Sequence, residues 1–173
     1  MKTFLAIIVF VFGFTVFAAF PKAIFAAEKP QPPSPALLSI PSIKLAALIQ
    51  PVGTEADGSM SVPLAPDTVG WYASGTLPGT FGSAVLDAHI YLAFKNLKNV
   101  KVGNPLYIAQ SDGSWLRFVV TGTKTYAYQN VPLGKLFGAN DKKYLNLITC
   151  AGKWLPAKGT YDRRLVVYAT LAE

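Results

Sequence analysis

Two of the scarcest residues in this 173-residue chain are also its most reactive: one cysteine, Cys150, and one histidine, His89. Arginine is nearly as scarce, at Arg117, Arg163 and Arg164, and the last two fall 13 and 14 residues after the cysteine. A thiol becomes a competent nucleophile when its pKa falls, and an adjacent imidazolium or guanidinium lowers it. A guanidinium can also donate to the oxyanion of a tetrahedral intermediate. Cysteine, histidine and arginine together therefore suffice for acyl transfer through a thioester. Taken singly, each also has a plain reading: the thiol as inert packing, the histidine as a satisfied core or surface residue. The 61 residues between His89 and Cys150 do not bring the two together; only a fold can.

Other chemistries find little to work with. A lone cysteine cannot close an internal disulfide and is an inert hydrophobe, an intermolecular link or a free reactive thiol. One His and one Cys fall short of a zinc site, and no dense acidic loop suggests calcium, so neither metal nor cofactor is expected. The formal net charge is +7, with 13 Lys/Arg and 8 Asp/Glu from Ala36 onward. That excess favours an anionic neighbourhood such as lipid headgroups or a cell-wall polymer. Without an arginine-rich stripe or zinc-finger spacing, nucleic acid is not an expected partner.

Three segments position these residues. Residues 1–27 hold an uncharged run from Thr3 to Phe20 between Lys2 and Lys22, 18 residues long. That is just enough for one N-terminal apolar helix across a bilayer, so a membrane anchor is expected, with a cleaved signal segment as the rival. Both export the rest of the chain, and the anchor reading places the protein at the cell membrane, single-pass, with the following domain outside the cell. Residues 28–36, EKPQPPSPA, form a proline-rich spacer. Residues 37–173 then form one domain, long enough for a sizeable core.

Within that domain the pattern is mainly β. Apolar segments flank Pro41, and glycine-bearing turns occur at Ala56-Asp57-Gly58 and Leu77-Pro78-Gly79. SAVLDAHIYL (83–92) reads as a strand reaching His89, and Ser111-Asp112-Gly113 as a hairpin turn between strands 105–110 and 114–122. Phe94, Leu97 and Val100, three apart, suggest one short helix within 93–104. LNLIT (145–149) and RLVVYAT (164–170) are the last strands. Many short strands with one brief helix argue for a closed or nearly closed β-barrel. Alternation along the final strand sends Arg163 and Arg164 to opposite faces, so one of the two can point toward the cysteine.

At these residues the sequence resembles the sortases, bacterial cell-surface cysteine transpeptidases. Leu147-Ile148-Thr149-Cys150 matches the family motif Thr-Leu-x-Thr-Cys, with Asn146 in place of its first threonine. Arg164 precedes Leu165-Val166-Val167-Tyr168-Ala169 as the family's arginine precedes its apolar strand, with Arg163 the lesser choice. Ser39-Ile40-Pro41-Ser42-Ile43, Asp57-Gly58-Ser59-Met60, Val69-Gly70-Trp71-Tyr72, Pro78-Gly79, Ala84-Val85-Leu86-Asp87-Ala88-His89 and Gly103-Asn104 keep the family's order from about residue 37 to 170. The resemblance is nearest to the small single-domain classes D, E and F.

The resemblance implies an eight-stranded sortase-type β-barrel with short helices, in which His89, Cys150 and Arg164 meet at one end of a substrate groove. It implies cleavage of the Thr-Gly bond in a Leu-Pro-x-Thr-Gly-like sorting signal and acyl transfer from Cys150 to an amine. Arg164 and Thr149 would contact the substrate. The implied partners are secreted proteins bearing C-terminal sorting signals, an amine acceptor on a cell-wall precursor or pilin, and the membrane through the N-terminal segment. Three residues depart from the family pattern: Ala88 for the glycine before the histidine, Asn104 for an aspartate, and Asn146. Two rivals stand beside the transpeptidase: a cysteine peptidase-like hydrolase with no productive amine transfer, and a catalytically silent surface peptide-binding barrel, for which Ala88 is the argument.

Overall fold

Strand β4, Gly82–Asp87, is buried at every residue but its last. A strand covered on one face alternates apolar and polar residues, whereas one covered on both reads as a continuous apolar run. Ser-Ala-Val-Leu is such a run, and the architecture supplies both covers. The structure, a computed structural model, describes residues 31–63 and 65–172.

The other strands are β1 (Pro35–Ile40), β2 (Leu45–Val52), β3 (Val69–Tyr72), β5 (Pro105–Gln110), β6 (Trp115–Ala127), β7 (Lys143–Leu155) and β8 (Thr160–Leu171). They close into a barrel in the order β1-β2-β3-β4-β7-β8-β6-β5. Pairs β2–β3 and β4–β7 are parallel, and the remaining pairings are antiparallel. Leu86 of β4 and Leu145 and Leu147 of β7 point inward with Leu38, Ile108 and Phe118. Val85, Val166 and Tyr168 point outward and are covered by Leu136 of a short helix, α1 (Leu133–Gly138). The expected eight-stranded barrel with short helices is thus what forms.

Local turn chemistry sets the strand ends. Pro41 opens a 3-10 turn, Pro41–Ile43, that closes on Lys44 at φ 53° and separates β1 from β2. Asp112 Oδ1 accepts from Ser114 N at 2.9 Å and Gly113 takes φ 84°, which makes the expected β5–β6 hairpin. Strand β4 stops short of its expected reach because the His89 carbonyl accepts from Leu92 N and Phe94 N, each at 3.2 Å, and turns the chain. The helix expected within 93–104 is a single 3-10 turn, Leu97–Asn99, although Phe94, Leu97 and Val100 are all buried as their spacing suggested.

One group of expectations is corrected. Among the described residues no helix is long and apolar enough to cross a membrane. Helix α1, at six residues, spans about 9 Å against the roughly 30 Å of a hydrocarbon layer. The transmembrane helix, the membrane as a partner and the single-pass placement at the cell membrane therefore have no structural support. Residues 1–27, where the anchor or signal segment was expected, lie outside the described residues, as does most of the spacer's N-terminal half.

Gly82, which opens β4, sits at φ 120°, and a Cβ there would lie 2.6 Å from Thr76 Oγ1. Replacing Gly82 with alanine should cost roughly 1–3 kcal/mol through backbone strain. The expected result is a thermal midpoint lowered by several degrees with the far-ultraviolet dichroism of the barrel retained. An unchanged midpoint would show that the start of β4 relaxes freely.

Candidate active site

Alternation along β7 sends Asn146, Ile148 and Cys150 to the outer face of the barrel, while Leu145, Leu147 and Thr149 turn inward. The antiparallel register sets Cys150 directly opposite Arg164 of β8. The parallel register sets Asp87 of β4 opposite Ile148, one side-chain repeat before the cysteine. His89 comes two residues after the end of β4. Cys150, His89 and Arg164 all line one cavity of about 660 Å³. Arg163 does not; it pairs with Ala151 and its side chain is largely exposed.

The cavity's walls are mostly apolar. Met60 and Val62 come from the β2–β3 connection, Tyr72 from β3, and Leu133, Leu136 and Phe137 from α1. The Tyr72 and Phe137 rings meet edge to face at 5.5 Å across it. Helix α1 is held in place by side chains from the strands beneath: Asn146 Nδ2 donates to the Leu136 carbonyl at 2.7 Å, and Ser83 Oγ to that of Ala139 at 3.0 Å. The departure at Asn146 thus fastens one wall of the cavity.

Thr149 is 4% exposed, and its hydroxyl donates to the Ala88 carbonyl at 2.7 Å. This bond joins the residue before the cysteine to the residue before the histidine. Ala88 itself is unstrained. Its methyl group belongs to the inner core, and Lys44 is the sole non-glycine residue at positive φ among those described. Asn104 stabilises a turn, with Oδ1 accepting from Lys101 N at 2.9 Å beside Gly103 at φ 87°.

Arg164 is folded onto its own strand. Nη1 donates to the carbonyls of Tyr161 and Arg163, both at 3.0 Å, and Nη2 to Thr160 Oγ1 at 2.8 Å. Its guanidinium carbon lies 5.9 Å from the Tyr128 ring centroid. Burial pushes the Cys150 thiol above its ordinary range; the Arg164 charge opposes that rise, and Asp87 adds to it. The resting sulfur is therefore a thiol at neutral pH, held within reach of a charge that favours its ionised form.

Two features carry no clear mark in the sequence. An aromatic group, Tyr91, Tyr161 and Trp154, stands at the cysteine end with ring centroids 6.1 and 5.1 Å apart along the series. Asp87 is the other. Burial pushes its carboxyl up to about 7, and its Oδ1 has no hydrogen-bond partner. The one signal for it is a charged residue, just before Ala88-His89, in an otherwise apolar run.

Against known proteins, the sequence matches the Sortase domain family over residues 38–172. No curated protein matches it. Sortase A from Corynebacterium diphtheriae is similar at 28% identity and TM-score 0.60, with 86% of this chain and 63% of that one covered. The Group B Streptococcus Pilus Island 1 sortase C2 shares 24% identity and a TM-score of 0.62, covering 80% of this chain and 73% of that one. Sortase C from Clostridium perfringens SM101 shares 24% identity and a TM-score of 0.59, covering 80% and 70%. At 24% identity the last two speak for the fold alone.

The site's construction sets two expected outcomes. Thr149→Val should lose a buried hydroxyl bond and leave the Ala88 carbonyl unpaired, costing roughly 1–3 kcal/mol, while Thr149→Ser retains most of it; equal denaturation midpoints would refute the clamp. For Asp87 the proton affinity rises on folding from 3.8 to about 7, worth at most ~4 kcal/mol. The stability from its neutral form is complete below about pH 3.8, declines as pH rises and is lost above about 7. Asp87→Asn should therefore raise the thermal midpoint more at pH 8 than at pH 4, and an equal change at both would refute the burial cost.

Proposed function

The chain belongs to the sortase family of transpeptidases, and from that premise we propose that its barrel, residues 37–173, cleaves the Thr-Gly bond of a Leu-Pro-x-Thr-Gly-like sorting signal and passes the acyl group to an amine. Cys150 is the nucleophile in this reading, His89 the acid–base group and Arg164 the oxyanion donor. The observation that carries it is the shared cavity, with Cys150 and Arg164 in register across β7–β8 and His89 at the same end.

Cys150 first gives its thiol proton to His89; the thiolate then attacks the threonine carbonyl carbon, and the electron pair of the carbonyl moves to its oxygen. Arg164 donates to that oxyanion, and two of its five N–H groups are free of the bonds it makes to β8. Collapse of the intermediate expels the glycine amine, which takes its proton from protonated His89. The thioester on Cys150 is then attacked by an acceptor amine, whose proton His89 removes. Departure of the sulfur restores the thiolate.

Thr149 acts by holding the backbone before His89, and its contact with substrate is made through the groove lining. The physiological substrates in this proposal are secreted proteins carrying C-terminal sorting signals, with a cell-wall precursor or a pilin as amine acceptor. Placement near the D, E and F classes is also part of the proposal and rests on the ordered sequence words; the solved relatives compared with the chain are sortases A and C.

Mass spectrometry of the full chain incubated with Leu-Pro-x-Thr-Gly and Leu-Ala-x-Thr-Gly peptides, with and without glycine-type and lysine-type amines, tests the reaction. A Cys150 adduct with the mass of the acyl fragment and an amine-joined product are expected, both abolished in Cys150→Ala. Arg164→Ala should slow acylation roughly 10²–10³-fold, the usual effect of removing an oxyanion donor. Cleavage indifferent to added amine would instead identify a hydrolase.

A further inference from the structure

The acyl-transfer steps use Cys150, His89 and Arg164 and leave Asp87 without a task. Yet a carboxyl group in an apolar wall is costly, and one with an unpaired buried oxygen more so. Asp87 Oδ1 lies against Gly70 of β3, where an added Cβ would come within 2.6 Å of it, so the small residue opposite leaves room for the carboxylate and supplies no donor to it. Among the described residues, the other buried side-chain oxygen without a partner is Asn146 Oδ1, whose residue is tied to Leu136 of α1 and does not line the cavity. Asp87 differs in lining the cavity.

The surroundings narrow what can satisfy it. Ile148 stands opposite Asp87 on β7, and Met60, Val62, Tyr72 and Phe137 add carbon surface to the same cavity. The other titratable or charged groups on the same cavity are Asp57 from the β2–β3 connection, Tyr72 from β3, His89 after β4, Tyr128 after β6, Cys150 from β7 and Arg164 from β8. Arg164 directs three of its five N–H donors to β8 and Tyr128 faces its guanidinium, and among the described residues no cation pairs with Asp87. An apolar slot ending in an unpaired acid is complementary to an aliphatic stem ending in a cation. Asp87 stands one side-chain repeat from Cys150, so a peptide whose scissile carbonyl reaches the sulfur and whose chain runs on toward α1 crosses the β4–β7 floor there.

We propose that Asp87 is a specificity-determining residue that selects acyl-donor peptides carrying lysine or arginine at the position crossing the β4–β7 floor. The inference rests on the acyl-transfer reading and names the substrate subset that reading leaves open. A bound cation gives Asp87 the partner it lacks and holds it ionised. Below neutral pH the carboxyl takes a proton instead, and the selection weakens.

The test is a competition between paired peptides based on Leu-Pro-x-Thr-Gly. Lysine or its near-isostere methionine is placed in turn at the variable position and at each flanking position. Acylation of Cys150 in the full chain is monitored by mass spectrometry. The readout is the lysine-to-methionine ratio of kcat/KM, in which effects common to both peptides cancel. At one position the ratio should exceed roughly ten at pH 8, in line with a charged hydrogen bond. It should fall several-fold by pH 6, and approach one in Asp87→Asn and Asp87→Ala at both pH values. The pH series on the unaltered chain stands even where a variant folds poorly. Ratios near one at every position, or a preference that survives in both variants, overturn the proposal. Acylation by methionine peptides without a lysine preference removes Asp87's role and leaves the transpeptidase standing. No acylation by any peptide defeats both.

Discussion

The ladder between β7 and β8 is the constraint on which the site depends. These two strands share the most extensive pairing in the barrel, running from Tyr144–Thr170 to Leu155–Thr160, and Cys150–Arg164 is one rung of it. A side chain on a strand has two faces available and no others, so a shift of one residue would turn the sulfur into the core and Thr149 out of it. Register is fixed because both faces of β7 are buried: Leu145 and Leu147 inside, Asn146 and Ile148 beneath α1. The bulge between Ala151 and Trp154 comes only after the cysteine. There Gly152, at φ 80°, lies against the Asp162 carboxylate, which accepts from Lys153 N at 2.6 Å.

The electrostatics of the site come from the same burial. Covering the outer face of β4 and β7 with α1 and the β2–β3 connection removes water from a thiol and a carboxyl at once. Both groups respond by favouring their neutral forms, and the Asp87 charge makes ionisation of Cys150 harder still. Arg164 is the counterweight. Its bonds to Thr160, Tyr161 and Arg163 engage three of the five guanidinium donors within its own strand. The result is a resting state in which burial favours the neutral Cys150 thiol and the guanidinium is anchored to β8.

Much of this is legible in the sequence where the determinant is local. Pro41 marks the break between β1 and β2, Ser111-Asp112-Gly113 the hairpin, and alternation separates Arg163 from Arg164. Helix α1 is not legible, because Leu-Gly-Lys-Leu-Phe-Gly has two glycines and little intrinsic helicity. It exists through Leu136 packing on Val85 and Val166 and through the Asn146 bond, all of them tertiary. The partner of Thr149 is equally hidden, 61 residues away. Asp87 does not stand out from the other acids, since composition carries no record of which carboxylate the fold encloses. Alanine fits at the position before the histidine because the backbone there needs no left-handed conformation.

The parallel pairing of β4 with β7 also has a kinetic side. The β5–β6 hairpin forms from neighbours in sequence and has only a short loop to close. By contrast, Asp87 and Ile148 meet only after the whole intervening segment has been gathered into one large loop, whose closure entropy must be met before any of the contacts that offset it exist. The two halves of the site lie on opposite sides of that loop. A chain emerging from synthesis can therefore hold its hairpin, and even much of its apolar core, while still lacking the assembled site. Reactivity needs that long-range strand pairing, so a molecule that lacks it carries a thiol without the means to direct it.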